Sequence, residues 1–255
     1  MDNDNQNLAN AMRAITETAP QRFFATRPTP CPYLDGQMER KVFTELSGPN
    51  ADDLHHVLAN NGFRRSQNIA YRPFCEGCSA CIAIRVILRD FKLKRWMRRV
   101  VNRNADLTLV RCPPRVSREQ YELFNRYLAD RHATGGMADM TFDEYQCMVE
   151  DSAVETEVIE FRDPEGILAA ACLVDVMEDG LSLIYSFFDP ERSALSTGSA
   201  IILSLIEDSR INGREFVYLG YWIEDSQTMA YKSRFQPIEA LTPDGWSRME
   251  NQDTL

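Results

Sequence analysis

Apolar and polar positions alternate along the first half of the chain in a way that predicts three strands and two helices. The strands are predicted at 39–46, 68–72 and 82–88, where alternation or a short apolar run is bounded by polar residues. The helices are predicted at 50–61 and 92–103, where apolar residues recur every three or four positions. In the second of these helices the apolar side chains share one face, so that most lysines and arginines point elsewhere, as phosphate binding requires.

The second half of the chain shows a different order of elements. Apolar runs predict strands at 154–161, 167–177 and 181–188, then a helix at 198–212 and a strand at 216–221. A three-stranded meander, a helix and a further strand follow one another in the GNAT acyltransferase fold, where the acyl donor binds beside a splayed sheet and a helix N-terminus. Many α+β domains share this order, so by itself it leaves the activity open.

We therefore predict an α+β protein of two domains. The break at Cys112-Pro113-Pro114 would separate a small N-terminal α/β domain, which contains a cysteine cluster, from a GNAT-like acyltransferase domain. The first twenty residues are rich in Asn, Asp, Gln and Thr, which predicts a disordered lead-in. The predicted ranges are 1–20 for the lead-in, 21–110 for the N-terminal recognition domain and 111–255 for the acyltransferase domain.

Charge is distributed unevenly along the chain. The whole protein has a formal net charge of −10, yet residues 64–103 hold 11 Lys and Arg against 2 Asp and Glu. This segment is therefore +9, and the remainder sums to −19. Such asymmetry is typical of a surface that binds a polyanion, because lysine and arginine neutralise phosphates and release counterions. A solvated basic helix without a partner is the alternative.

The seven cysteines are an odd number in a chain with no secretory signal, which indicates reduced thiols and a cytoplasmic protein. No apolar run approaches the roughly 20 residues that a membrane span needs. Cys75, Cys78 and Cys81 are two residues apart, and Cys31 is the candidate fourth ligand, a set that suits zinc or an iron–sulfur cluster. Packed or redox-sensitive thiols are the alternative.

Most common catalytic signatures are missing from the sequence. It contains no GxSxG, P-loop, HExxH or GxGxxG motif, so serine hydrolysis, nucleotide hydrolysis and zinc proteolysis have no support. Among the histidines, His55 and His56 are predicted on an exposed helix.

Six stretches carry a resemblance to a known family. They are Cys31–Leu34, Gly62–Pro73, the cysteine array at 75–81, Tyr185–Pro190, Tyr218–Ile223 and Met229–Phe235. In sequence and order they resemble the bacterial aspartate/glutamate leucyltransferases, relatives of the arginyl-tRNA–protein transferases, from about residue 23 to residue 246. The resemblance implies that leucine passes from Leu-tRNA to the N-terminal Asp or Glu of a protein, which marks that protein for degradation. It also implies a GNAT-like C-terminal half.

Transfer from an activated ester to an α-amine needs neither a cofactor nor a covalent intermediate. It needs positioning, a group that takes the amine proton, and donors for the oxyanion. An acidic acceptor calls for a fixed cation, and guanidinium groups bind carboxylates in bidentate fashion. Arg64, Arg65 and Arg72 are the candidates for this contact, with Tyr71 beside them. Structural salt bridges or tRNA contacts are the alternatives for these arginines.

Asp189, Tyr221 and Lys232 are the candidates for the catalytic centre. Asp189 would hold the acceptor ammonium or relay its proton, with a turn role beside Pro190 as the alternative. Tyr221 would line the pocket for leucine or the terminal adenosine, with core packing as the alternative. Lys232 would stabilise the oxyanion or face the CCA end of tRNA.

Contacts to tRNA are predicted from the basic helix and from one later arginine. The candidates are Lys94, Arg95, Arg98, Arg99 and Arg234. Relatives tend to carry Pro, Ser and Arg where this chain has Lys92-Leu93-Lys94, so only the basic character is retained. Arginine as the donor amino acid is one alternative, and a non-catalytic tRNA-binding or redox-sensing protein is another. An acetyl-coenzyme A acetyltransferase would leave the +9 segment unexplained.

Overall fold

The structure is a computed structural model that describes residues 21–131, 139–226 and 228–249, and the predicted lead-in at 1–20 lies outside the described residues. The strands are β1 (Phe24–Ala25), β2 (Thr29–Pro30), β3 (Met38–Glu39), β4 (Lys41–Glu45), β5 (Arg64–Ser66), β6 (Ile69–Pro73), β7 (Ile82–Ile87), β8 (Thr108–Cys112), β9 (Thr156–Arg162), β10 (Leu168–Val176), β11 (Gly180–Phe188), β12 (Phe216–Trp222), β13 (Ile238–Thr242) and β14 (Gly245–Arg248). The helices are α1 (Ala51–Asn60), α2 (Arg95–Arg103), α3 (Arg118–Arg131), α4 (Phe142–Glu150) and α5 (Thr197–Ile211), with short 3-10 helices at Pro190–Leu195 and Ala230–Arg234. The predicted α+β class is confirmed.

An eight-stranded sheet forms the centre of the molecule, in the order β14-β13-β7-β12-β11-β10-β9-β8. Neighbouring strands are antiparallel except β11 and β12, which are parallel. Parallel neighbours need a crossover connection, and α5 provides it here. The meander β9–β11, the crossover helix and β12 therefore follow the order that predicted a GNAT-like arrangement.

The two parallel strands pair only at their beginning. Gly180, Leu181 and Ser182 of β11 lie opposite the first three residues of β12, and no further pairs follow. Beyond these pairs the ladder ends, although both strands continue for several residues. The sheet is therefore open between β11 and β12 at their carboxyl ends. We call this opening the gap.

Helices cover both faces of the large sheet. Alternate residues of β10 point to opposite faces, as the two-residue period of a strand requires. Ala170, Cys172 and Val174 pack in one apolar core with α2 and α5, whereas Ala171 and Leu173 pack in a second core with α3 and α4. The central strands are buried on both faces as a result, which explains why β10 is apolar almost throughout. Among the described helices, none is long and apolar enough to cross a membrane.

Capping boxes begin the two helices of the second core. Before α3, the hydroxyl of Ser117 accepts from the backbone N–H of Gln120, whose side-chain oxygen accepts from the N–H of Ser117. Before α4, Thr141 and Glu144 make the same reciprocal pair. Each box satisfies N–H groups that the first turn of a helix leaves without intrahelical partners.

A smaller sheet, β1-β4-β6-β5, lies beside the large one and carries α1. The large sheet contains β7, from the range predicted as the N-terminal domain, between β13 and β12. It also contains β8 at its far edge, so it draws on both sides of the predicted boundary near residue 110. That boundary stays a prediction.

A buried ionic cluster joins the two sheets. Arg65 of β5 is fully buried, and its Nε and Nη2 donate to the carboxylate of Asp175 on β10 at 2.6–2.9 Å. His55 of α1 lies 3.0 Å from the same carboxylate, and Thr156 of β9 donates to it at 3.1 Å. The predicted exposure of His55 is wrong, because this residue is only 3% exposed. The sequence pattern of α1 gave no sign that one histidine faces a carboxylate from a distant strand.

Asp175→Asn should destabilise the protein, because it leaves the buried guanidinium of Arg65 without its anion. We expect a loss of roughly 3–5 kcal/mol in the free energy of unfolding, measured in urea at pH 7. Burial alone would raise the pKa of Asp175, but hydrogen bonds from His55 and Arg65 hold it below its usual value. This stabilisation is present above the unfolded-state pKa of about 3.9 and is lost as the pH falls through the lower native pKa.

The control for this change is Asp90→Asn, since the Asp90 carboxylate also faces an arginine, Arg248, but lies at the surface. Surface ion pairs contribute little, so we expect a much smaller change. Equal losses in the two variants would contradict a special role for the buried cluster.

Candidate active site

Arg64 reaches from the small sheet into the gap of the large one. Its Nη2 donates to the carbonyl oxygens of Leu183 at 2.7 Å and Ile184 at 3.2 Å, both on β11 beyond the last paired residue. Its guanidinium also lies against Gly220 of β12, where an added Cβ would come within 1.7 Å of Nη1. Gly220 has a φ of +74°, so backbone conformation and close contact both require glycine here. Arg64 therefore touches both strands that border the gap.

Lys232 meets the same segment of β12. Its Nζ donates to the carbonyl oxygens of Leu219 at 3.0 Å and Tyr221 at 2.8 Å, on either side of Gly220. The residue as a whole is half-buried, but its nitrogen lies deep among protein atoms. Burial, and after it the charge of Arg64, lowers the pKa of Lys232 to about 7. Near neutral pH a large fraction of this side chain is thus an uncharged amine.

Tyr221 links β12 to the small sheet. Its hydroxyl is placed to donate to the backbone carbonyl oxygens of Gly62 at 2.9 Å and Tyr71 at 3.2 Å. The side chain is buried, and burial raises the pKa of the phenol, so it stays neutral. These contacts favour the packing alternative for Tyr221. It ties β12 to β6 and to the turn that precedes β5.

The three arginines proposed for the acceptor carboxylate have different surroundings. Arg65 is buried in its pair with Asp175, which favours the structural alternative for that residue. Arg64 contacts carbonyl oxygens in the gap. Arg72 is exposed, donates to the carbonyl oxygen of Asn61 at 3.2 Å and lies 5.6 Å from the ring centre of Phe63. Of the three, Arg72 is the one whose guanidinium faces solvent.

Asp189 follows β11 directly. One carboxylate oxygen accepts from the N–H of Glu191 and caps the 3-10 helix at 190–195, while the other accepts from Arg126 at 3.2 Å. Both contacts favour the turn alternative for this residue. The carboxylate nevertheless stays partly exposed at the end of β11.

A basic surface extends from α2 toward the gap. Arg95, Arg98 and Arg99 are exposed on this helix, while Met97 and Val100 are buried in the core, as the sequence predicts. Arg234 is exposed as well, and its guanidinium lies 4.4 Å from the ring centre of Trp96 on α2. Since Arg234 stands two residues after Lys232, this stacking connects the basic helix to the gap.

The predicted N-terminal domain contains four cysteines that lie near one another, Cys31, Cys75, Cys78 and Cys81. Burial, and after it the proximity of Cys31, Cys75 and Cys78, raises the pKa of Cys81 to about 11. In residues 21–131, 139–226 and 228–249, no three or more His, Cys, Asp or Glu side chains are arranged to hold a metal ion. To bind one, the thiols would have to draw together and lose their protons. Binding of zinc or an iron–sulfur cluster by these cysteines stays a prediction.

Sequence reasoning found Arg64 and Lys232 separately but did not bring them together. One signal was available, because a glycine inside a strand often marks the close approach of another group, and Gly220 stands in the middle of β12. A second signal is lysine usage, since the chain has 4 lysines against 24 arginines and one of the four is Lys232. The partnership of Asp175 with Arg65 and His55 left no signal in the sequence.

The sheet order and the parallel pair that parts define the fold of this protein as GNAT-like. Comparison with known families gives the particular group. Residues 29–99 match the model described as "Arginine-tRNA-protein transferase, N terminus", and residues 119–242 match "Arginine-tRNA-protein transferase, C terminus". The chain belongs to the arginine-tRNA-protein transferase family.

Curated relatives cover nearly the whole chain. A protein of Paramagnetospirillum magneticum named aspartate/glutamate leucyltransferase is 52% identical over 92% of this chain and 96% of its own length. One of the same name from Granulibacter bethesdensis is 47% identical over 92% of this chain and 88% of its own. Among solved structures, L-PGS from Bacillus licheniformis is 14% identical with a TM-score of 0.46, over 80% of this chain and 69% of that one. A likeness of that size has no bearing on function.

Gly220→Ala should displace Arg64 and thereby lower aminoacyl transfer, because the new Cβ would occupy the position of its guanidinium. A misplacement of about 1 Å in an active site can cost on the order of a hundredfold in rate. The matched control is Gly213→Ala, since Gly213 has a similar φ of +72° but nothing within 4 Å of the added Cβ. Steady-state transfer rates measure the effect. Equal rates for both variants would show that the contact with Arg64 is unimportant.

Proposed function

We propose that this protein transfers leucine from leucyl-tRNA to the N-terminal Asp or Glu of other proteins. The observation that carries the proposal is the gap, where Lys232 and Arg64 meet beside a basic surface. The near full-length likeness to proteins named for this reaction supports it. The resemblance further implies that the added leucine marks the acceptor for degradation, and a tRNA donor would place the reaction in the cytoplasm.

The chemistry of the transfer suits the groups present in the gap. The donor is an activated ester, and the acceptor is an α-amine with an ordinary pKa of about 7.7–8.0, which leaves a useful uncharged fraction at pH 7. No covalent intermediate is needed, so the missing nucleophile motifs do not count against an enzyme. Arg64 supplies a fixed positive charge where the tetrahedral oxyanion would form.

The donor side would lie along α2. Exposed arginines on this helix neutralise phosphates of the acceptor stem, and Arg234, stacked on Trp96, continues the positive charge toward Lys232. The terminal ester would then reach the gap. The acidic remainder of the chain disfavours nucleic acid elsewhere on the surface.

The acceptor side would lie on β5 and β6. Arg64 stands opposite Tyr71 in the pairing of these strands, and Arg72 is the next residue along β6. Arg72 points to the other face of β6 from Tyr71, and its exposed guanidinium would bind the acidic side chain of the acceptor while the α-amine enters the gap beside Arg64.

Incubation with charged tRNA and a peptide that begins with Asp tests the proposed reaction. We expect a mass gain equal to one leucine residue with leucyl-tRNA and none with arginyl-tRNA, as measured by mass spectrometry. A peptide identical except for an N-terminal Gly is the control and should gain nothing. A gain matching arginine would transfer the assignment to the other donor. No gain with either tRNA, under reducing conditions and after metal or cluster loading, would support a binding protein without catalysis.

Arg72→Ala should weaken transfer to the Asp and Glu peptides, because the acceptor carboxylate loses its charged partner. Hydrogen bonds to charged groups contribute about 1.5–3 kcal/mol, which corresponds to roughly a 10- to 150-fold loss in kcat/KM. Arg72→Lys, the matched control, keeps the charge but loses the fork, so an intermediate loss is expected. Unchanged kcat/KM for Arg72→Ala on both peptides would remove Arg72 from the acceptor site.

A further inference from the structure

We propose that Lys232 is the group that takes the proton from the acceptor amine, and that Arg64 is the positioning residue that keeps it ready to do so. This inference rests on the proposed function, since it assigns a step of that reaction. It differs from an oxyanion role for Lys232, in which the lysine would have to be charged.

The hydrogen bonds of Lys232 suit an uncharged amine. A neutral amine has two N–H donors and one lone pair, and the carbonyl oxygens of Leu219 and Tyr221 accept two hydrogen bonds from Nζ. With both donors engaged, the lone pair remains as the third direction of the nitrogen. An ammonium would instead need a third acceptor at the same depth. The two carbonyls also fix the orientation of the amine, so that the lone pair has one direction rather than many.

The surroundings of Lys232 disfavour its charged form. Arg64 from β5 is the charged group that acts on it most, and it repels an ammonium. From β12, Tyr221 presents a buried phenol whose raised pKa keeps it neutral. On the same 3-10 helix, burial raises the pKa of Tyr231 to about 12, so this group is neutral too. Arg234, the other cation on that helix, is turned toward Trp96. None of these four neighbours is an anion that would stabilise an ammonium.

Arg64 and Lys232 approach the same peptide unit from different parts of the chain. Arg64 lies against Gly220, and Lys232 binds the carbonyl oxygens on both sides of that glycine. The positive charge of Arg64 is itself held by carbonyl oxygens of β11. Where the two strands part, the fixed cation of Arg64 lies near the amine of Lys232. A neighbouring cation lowers the pKa of a lysine, so that it can act as a base near neutral pH.

The proton balance of the step is complete without a further reactant. The acceptor nitrogen forms a bond to the ester carbonyl carbon while one of its protons passes to the uncharged amine of Lys232. The bond from that carbon to the ribose oxygen then breaks, and the new ammonium of Lys232 returns the proton to the departing oxygen. The products are an amide and a ribose hydroxyl, and Lys232 is again uncharged.

Nuclear magnetic resonance of the full protein labelled with ¹³C at the lysine ε-carbons tests the first part of the proposal. The chain has only four lysines, and Lys232→Met identifies the resonance of interest. We expect that resonance to titrate near pH 7, far below the ordinary lysine value of about 10.4. A Lys232 resonance that stays in its charged form up to pH 10 would overturn the proposal.

Replacement of Arg64 tests the second part of the proposal, which is the effect of the Arg64 charge on Lys232. Arg64→Met should raise the titration of Lys232 by roughly one pH unit, and Arg64→Lys should preserve it. The acidic limb of the pH profile of kcat/KM should shift to higher pH together with the pKa of Lys232. Activity requires the uncharged amine and is lost below that pKa. The α-amine of the acceptor titrates in the same range, but it is identical in every variant and cannot cause a difference between them. A limb that stays in place while the titration moves would refute the proton step.

Loss of the amine itself should lower the rate. Lys232→Met is expected to reduce kcat by roughly 10²- to 10⁴-fold, the usual contribution of a general base, with KM for the acceptor peptide little changed. A loss confined to KM would point to substrate binding and overturn the proposal. If the wild-type protein shows the expected titration but transfers no amino acid, the proposed function fails and the proton step with it. Transfer by a protein whose Lys232 is fully charged refutes only the present inference.

Discussion

The site depends on one constraint, which is that a parallel pair of strands cannot part inside a protein unless other groups satisfy its backbone. β11 and β12 separate after three pairs, and carbonyl oxygens beyond that point accept from side chains. Buried carbonyls without partners are costly, so the donors are required for the fold itself. Here both donors are nitrogens of basic residues. The groups that stabilise the opening are therefore the same groups to which we assign its chemistry.

The two sheets must stay in register for this arrangement to persist, because Arg64 belongs to one sheet and the gap to the other. Its neighbour Arg65 points the opposite way along β5 and is locked to Asp175 of β10. Successive residues of a strand face opposite sides, so this short strand presents Arg64 to the gap and Arg65 to a structural anion. Tyr221 adds a second tie, from β12 to the backbone of the small sheet.

The sequence predicted the elements well because their signals are local. The periodicity of α1 and α2 and the apolar runs of β9–β11 needed no knowledge of distant residues, and the order of these elements was enough for the fold class. Contacts between distant residues were not predictable in this way. The burial of His55 and Arg65 follows from Asp175, which is 110 positions after the arginine. Likewise, nothing near Lys232 in the sequence shows that Arg64 lowers its pKa.

The charge count predicts that residues 64–103 form one polyanion-binding surface. In the structure, the arginines of this segment differ in what each contacts. Arg65 stabilises the join between the sheets and Arg64 stands in the gap, whereas the exposed arginines of α2 have the environment that phosphate binding requires. Backbone carbonyls carry no net charge, so they hold a cation without offsetting its positive charge. A carboxylate partner offsets it. Arg64 acts on Lys232 through its positive charge, whereas Arg65 is paired with Asp175, although the two are adjacent and chemically identical. The difference in function between these residues comes from their partners and not from their type.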